Sequence, residues 1–506
     1  MEAKMSPFRK FIKQFSHFFS GMIVAQLFAF VSFPILTRVL TKEQYGILGL
    51  VTTTMLFAVA VAKAGLSDGV IRFYKEYSGV REKLEIFSST VLIRGIVFSS
   101  VACLCYVSIL WLIKSFLKLN SAYLISFLIM GFYLFLRPVN IIIIYFLRVN
   151  DKTIYINVLS ITERICSVGV SLFLLLHVFK ALYGYFVGLV ITEVLVSAVL
   201  FFWFLKHFRI NPSKVSKELN LKLIKFGAPV LLTELSFLFM SYTDRYLIAI
   251  YLGKEALGLY SVGYNLAMYV GNIMMFSISY AIVPIYVEIF SREGRGKTEE
   301  FLQKTLNYLL MIIIPMGVGY MGIAKDLFIA LASNKYAAAA NFSPLILASY
   351  FLLALNVLFN SGLYLEKKTT VSFGLMFFAI LFNICLNLIL IPKLYVMGAA
   401  ISFVASCLLA TGLTFWISSK YITLKIQMKV LLYYGSVSCF MFIILKQIEL
   451  PGIWMNLGVK VILGMLIIVI AILYMEKEIR NKINDRYYVL RQKYQSGRFS
   501  CFFSNR

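Results

Sequence analysis

The chain has 506 residues, 60% of them hydrophobic and 14% charged, with a formal net charge of +26. A soluble domain carries about 25% charged residues, so a water-soluble fold is excluded. Nucleic acid is not the implied partner, because the basic residues sit in short clusters between apolar runs, with no soluble domain to hold a polyanion.

Each apolar run long enough to span must be a helix, since unpaired backbone polar groups are too costly in hydrocarbon. Arg9, Lys10 and Lys13 precede an apolar stretch from Phe15 to about Leu36. That stretch is too long for a signal-peptide core and lacks a small-residue cleavage site, so it is expected to remain as the first spanning helix. The hydropathy pattern predicts fourteen helices, at 15–38, 46–66, 88–113, 122–147, 154–178, 181–205, 226–251, 257–287, 305–324, 341–365, 369–391, 396–419, 430–448 and 453–475. An even number of crossings puts both termini on one side. Connections on that side, with the tail, carry 34 Lys or Arg against 10 on the other, which predicts cytoplasmic termini.

No connection can hold a separate globular domain; the longest, 206–225, is a basic linker between the sixth and seventh helices. The segment Thr41-Lys42-Glu43-Gln44-Tyr45-Gly46, read as the external turn after the first helix, is restated after the seventh as Gly253-Lys254-Glu255-Ala256-Leu257-Gly258. Six helices separate the copies, so the halves share one orientation and should be related by an axis along the membrane normal. The predicted organisation is an N-terminal six-helix lobe (1–212), a C-terminal six-helix lobe (213–425), two added helices (426–476) and a basic cytoplasmic tail (477–506). From Glu476 to Arg506 the chain carries eight Lys or Arg against three acids, which suits anionic lipid or simply retains the topology, and Tyr487, Tyr488 and Tyr494 suit an interfacial helix.

Six of the seven cysteines fall in apolar segments and read as small buried hydrophobes. His17, His177 and His207 are scattered, so no metal site is expected. A glycine-rich phosphate loop followed by Lys-Ser or Lys-Thr is absent, so neither an ATPase nor any cofactor is expected.

Four stretches carry a family resemblance. They are Pro34 to Gly46; Gly65-Leu66 with Ile71-Arg72-Phe73-Tyr74; Asp244-Arg245 leading into Leu252-Gly253 and Gly258-Leu259-Tyr260-Ser261; and Asn387 to Pro392 with Gly398-Ala399-Ala400. With these the sequence resembles the polysaccharide (O-antigen) flippase branch of the multidrug/oligosaccharidyl-lipid/polysaccharide exporter superfamily. The resemblance implies two facing lobes working by alternating access. It implies as cargo an undecaprenyl-diphosphate-linked oligosaccharide, handed on to polymerase or ligase machinery for surface polysaccharide. Relatives that carry the peptidoglycan precursor share the architecture.

A diphosphate headgroup cannot cross hydrocarbon unaided, and ionisable residues inside helices cost about 2.5–3.5 kcal/mol each by insertion scales, so each is a candidate. Arg245, whose planar fork suits phosphate, shares a helix face with Glu234, and the Asp244-Arg245 pair can alternatively staple helices together. Arg137, beside Pro138, can meet substrate or freed backbone carbonyls. Glu163 and Arg164 are neighbours that point about 100° apart and need separate partners; Glu193 is the expected mate of Arg164. Lys63 lines the cleft or snorkels to the interface, and Arg94 and Lys460 read as snorkelling. Arg38 and Arg72 flank the first hairpin as substrate candidates or interface anchors. Glu234, Asp244 and Glu163 are the candidates for coupling to an ion gradient. An ion-coupled drug or cation antiporter would want a smaller, acid-dominated cavity, whereas basic residues are at least as numerous here. A membrane glycan polymerase or ligase would want a large external loop; the largest here, about 325–340, holds only Lys325, Asp326 and Lys335 as charged groups.

Overall fold

The computed structural model describes residues 30–113 and 120–475. The expected start of the first helix (15–29) and the basic tail (477–506) lie outside the described residues. Among the described residues the chain is helical, with no strand, and eleven helices are long and apolar enough to cross a membrane. The elements are α1 (Phe30–Val39), α2 (Lys42–Lys63), α3 (Leu66–Tyr77), α4 (Arg81–Ile113), α5 (Ser121–Val149), α6 (Thr153–Phe173, continued by a π-turn at Leu174–Val178) and α7 (Leu182–His207). After these come α8 (Lys217–Tyr251), α9 (Gly253–Ala332), α10 (Ser343–Phe359), α11 (Ser361–Leu365), α12 (Thr369–Ser418), α13 (Met428–Gln447) and α14 (Ile453–Met475).

Two of these are double. The backbone breaks at Gly294 (φ 81°) in α9 and at Tyr395 (φ 54°) in α12, each time reversing the chain between two crossings. With α3 set aside as a short turn-off from α2, and α10 and α11 taken as one crossing, the described residues hold thirteen crossings and the end of the expected first helix, in the expected all-α membrane fold. It forms two lobes, and α13 and α14 pack on α9.

The helices run further than hydropathy predicts. Thr41, expected in a turn, is the N-cap of α2: its hydroxyl accepts from Gln44 N while the Gln44 side chain accepts from Thr41 N, a capping box. The helix α8 starts at Lys217, well before 226, because Ser216 caps it and Leu219 and Leu223 turn inward while Lys222 and Lys225 stay in water. The expected linker therefore shrinks to 208–216, and it is tied down. Ser88 Oγ donates to Arg209 O (3.1 Å), and Ser89 Oγ and Thr90 Oγ1 accept from Asn211 N (2.9 Å) and Ser216 N (3.0 Å).

The lobes touch at both ends. At the end bearing the turns 40–41 and 252, a methyl group on Gly46 would collide with Lys254 O, and one on Gly258 would collide with Lys42 O. Lys42 and Gly46 correspond to Lys254 and Gly258 in the repeated segment, so this contact is reciprocal, as a twofold relation between the halves requires. Arg38 Nη2 donates to Ala330 O (2.6 Å) and Lys335 Nζ to Leu40 O (2.6 Å) at the same end. At the opposite end, here termed the basic end for its linker and the Gly294 turn, the backbones of Gly65 and Gly227 meet without room for a side chain on either. Phe73 packs edge-on to Phe226, and Lys222 pairs with Glu76 (2.8 Å).

Lys460 departs from its expected snorkelling. It is 6% exposed and 2.6 Å from Asp326, whose carboxylate also accepts from Asn456 Nδ2 (3.1 Å). Two side chains of α14 thus converge on one acid of α9, which offers them more than a distant interface does.

Candidate functional site

Between the two contact zones lies a cleft in two adjoining compartments of about 560 and 520 Å³. Both are lined by Arg137, Arg164 and Asn265; Glu163, Glu193 and Arg245 line the first, Lys63 and Glu234 the second. The volumes fall in the range of ligand sites.

The walls hold three arrangements of charge. In the first, α5, α6 and α7 bring Arg137 against two acids: its Nη1 is 2.5 Å from Glu163 Oε1 and 3.2 Å from Glu193 Oε2. Asn140, one turn on, donates to Glu193 Oε1 (2.7 Å) and to Ser197 Oγ (2.8 Å). Two carboxylates on one guanidinium make this node locally negative. Pro138 leaves a helix carbonyl without its donor, yet the Arg137 guanidinium turns to the acids, because a charged acceptor in a site of low dielectric outweighs a neutral carbonyl.

The second arrangement is neutral overall. Lys63 crosses from α2 to α8, where its Nζ lies 2.8 Å from each oxygen of Glu234. Lys63 is 9% exposed, so its charge does not reach the interface as snorkelling requires.

The third is cationic. Arg245 is 3% exposed and donates to Thr53 Oγ1 (3.0 Å) and Asn265 Oδ1 (3.2 Å), with the rings of Tyr242 and Tyr264 at 4.8 and 4.9 Å. Neutral acceptors and π-faces hold the guanidinium without cancelling its charge. Arg164 stands exposed in the cleft, and among the described residues neither it nor Arg245 forms an ion pair. Together the walls carry four cationic and three acidic side chains, with the surplus at Arg164 and Arg245.

A family model described as "Polysaccharide biosynthesis protein" matches residues 11–290, more than half of the chain. The chain belongs to the polysaccharide biosynthesis protein family. A second model, MatE, matches residues 229–389. An uncharacterized membrane protein of Methanocaldococcus jannaschii is 23% identical over 208 residues, or 40% of this chain, and the chain spans 40% of that relative's length.

Among solved structures, Lipid II flippase MurJ in an inward closed conformation aligns with TM-score 0.74 and 14% identity, over 91% of this chain and 99% of that one. An inward-facing multidrug resistance MATE family transporter of the MOP superfamily aligns with TM-score 0.62 and 12% identity, over 78% and 94%. A MOP superfamily transporter from Pyrococcus furiosus aligns with TM-score 0.56 and 13% identity, over 82% and 96%. At these identities the likeness is one of fold: this polysaccharide biosynthesis family member has the fold of the MOP superfamily.

Six of the residues singled out in the sequence of this family member line the cleft: Lys63, Arg137, Glu163, Arg164, Glu234 and Arg245. Three do not. Asp244 is 3% exposed and accepts a hydrogen bond from the Tyr260 hydroxyl, on the side of α8 turned from the cleft. Arg38 is spent on the carbonyls of Pro34 and Ala330 at the lobe contact, and Arg72 is exposed and paired with Glu76 (3.3 Å) at the basic end. Glu193 goes to Arg137 instead of Arg164. The side chain of Arg164 points some 100° from that of its neighbour Glu163, into the cleft, while Arg137 faces the groove between α6 and α7. Sequence reasoning missed Asn140 and Asn265, uncharged residues on which hydropathy has little to say.

Proposed function

We propose that this protein is a flippase that moves an undecaprenyl-diphosphate-linked oligosaccharide from the cytoplasmic to the outer leaflet by alternating access, for surface polysaccharide synthesis. The observation that carries the reading is the pair Arg164 and Arg245: two guanidiniums with no carboxylate partner among the described residues, facing a cleft between two lobes. Arg245 is a buried cation without a counterion, which is costly, and an anionic headgroup entering the cleft beside the exposed Arg164 supplies that counterion. The excess of Lys and Arg assigns the basic end to the cytoplasm, so the Lys63–Glu234 contact is the cytoplasmic closure and the Gly46–Gly258 contact the outer one. The description of the matched family supports a polysaccharide cargo, while the structural neighbour named a Lipid II flippase keeps the peptidoglycan precursor as the comparison cargo. Glu163, beside Glu193 on Arg137, is the acid best placed for coupling to an ion gradient; Glu234 is held by Lys63, and Asp244 is turned away from the cleft.

The test is translocation in proteoliposomes of a fluorescent undecaprenyl-diphosphate-linked oligosaccharide, read by the fraction quenched from outside. Arg164→Ala and Arg245→Ala are each expected to reduce flipping at least tenfold while leaving the amount of folded protein unchanged. Undiminished flipping in both variants removes the cleft from the mechanism. Cation movement without lipid movement identifies an antiporter, and activity on the peptidoglycan precursor alone reassigns the cargo.

A further inference from the structure

Across α8 from the cleft lies a second cavity, of about 430 Å³, walled by α8, α10, α11 and α12. Among the described residues no charged side chain lines it. Its walls combine amides, hydroxyls and rings, among them Asn356, Asn360, Thr414, Phe237 and Phe373. Asn356 Nδ2 donates to Thr414 Oγ1 (3.1 Å), but the buried Asn360 Oδ1 has no hydrogen-bond partner among the described residues. Polar groups at membrane depth carry a cost unless they face water or a ligand. The wall of this cavity is unfit for a diphosphate, having no cation among its described residues. It fits a neutral sugar ring: amides and hydroxyls both donate and accept, as sugar hydroxyls do, and aromatic faces cover the apolar C–H side of the ring.

The relation to the cleft is set by α8. Thr233 and Glu234 are consecutive, so their side chains point about 100° apart; Glu234 lines the cleft and Thr233 the second cavity. One helix therefore forms a wall shared by a cationic space and a neutral one. Just before this stretch, Pro229 cannot donate to the carbonyl of Lys225, which leaves α8 one backbone hydrogen bond short beside the shared wall.

We propose that this cavity is a neutral-sugar subsite, which receives sugar rings of the cargo while its diphosphate sits at Arg164 and Arg245, and so selects cargo by its glycan. The inference rests on the reading of the cleft given above. It is tested by binding to the full chain in nanodiscs with three probes: undecaprenyl diphosphate, the same lipid bearing a trisaccharide of neutral hexoses, and the free trisaccharide.

The wild type is expected to bind the glycosylated lipid about tenfold more tightly than the bare one, the increment of one or two hydrogen bonds. Asn360→Leu is expected to abolish that difference and leave bare undecaprenyl diphosphate binding unchanged. Should Asn360→Leu not fold, Phe373→Ala at the exposed mouth reads the same difference. A glycan increment that survives in the variants, or none in the wild type, overturns the subsite and leaves the cleft standing. Failure of the bare lipid to bind at all overturns the cleft reading instead. The subsite is then judged by whether binding of the free trisaccharide needs Asn360, and independence from Asn360 overturns it too.

Discussion

Lys63 and Glu234, 171 positions apart, form a two-pronged ion pair across the lobe interface, both carboxylate oxygens lying 2.8 Å from one ammonium. The pair closes one end of the cleft whose wall it also forms, so charge arriving in the cleft acts on the closure directly. Glu234 is 38% exposed at its side chain, which limits the pair to about 1 kcal/mol after solvent screening.

Lys63→Ala should therefore shift the closed/open ratio at the basic end about fivefold toward open. The measurement is labelling of a cysteine at Thr52 by a membrane-impermeant thiol reagent from that side, in a cysteine-free background. Lys63→Glu combined with Glu234→Lys should bring the rate back towards that of the parent; a rate unaffected by Lys63→Ala means the glycines alone hold that end.

The glycine contacts involve backbone, which cannot swing aside as a side chain can. Gly46→Ala or Gly258→Ala should prevent closure of the end where these residues meet, and Gly227→Ala should prevent closure of the basic end. Thiol labelling from the two sides should thus rise on opposite faces for the two groups of variants, with transport lost in each. Normal transport in Gly258→Ala would show that the lobes need not come this close.

Arg137 and Arg164 line the same cleft but should behave differently. Arg137→Ala leaves Glu193, 2% exposed, without its cation; breaking a buried pair in this way costs on the order of 3–5 kcal/mol. The variant should melt at a markedly lower temperature in detergent, and adding Glu193→Gln should recover most of the loss. Arg164→Ala should leave the melting temperature unchanged while abolishing flipping. Equal melting losses in the two arginine variants would refute the distinction.

Lys460→Met should destabilise the attachment of α14 by leaving Asp326 with only Asn456, whereas Lys460→Met with Asp326→Leu should be close to neutral. Limited proteolysis between α12 and α13, together with thermal melting, compares the two. If both variants are equally stable, the ion pair contributes nothing to docking α14.

Much of the fold was legible because hydrocarbon leaves the backbone few choices. The positions of the crossings followed from apolar runs alone, and the helix ends were misjudged where amphipathic turns such as Lys217–Lys225 continue into water and where capped or buried turns, at Lys42–Tyr45 and up to Ala332, extend a helix. The repeat was legible too, and its reciprocal glycines, Gly46 and Gly258, prove to be where the halves touch. The candidate site was half legible: ionisable residues inside helices stand out by their cost, but their partners do not.

The sequence by itself determined a many-helix membrane protein with duplicated lobes and a short list of intramembrane charges, since each of these is a local or periodic property of the chain. Only the tertiary structure decided which charges cancel. Arg137, Glu163 and Glu193 lie 26 and 56 positions apart and meet because α5, α6 and α7 share a groove. Among the described residues Arg164 and Arg245 have no carboxylate partner, because packing turns them to the cleft. Electrostatic energy depends on distances of a few ångströms, and those are set by how helices pack, which no single helix encodes.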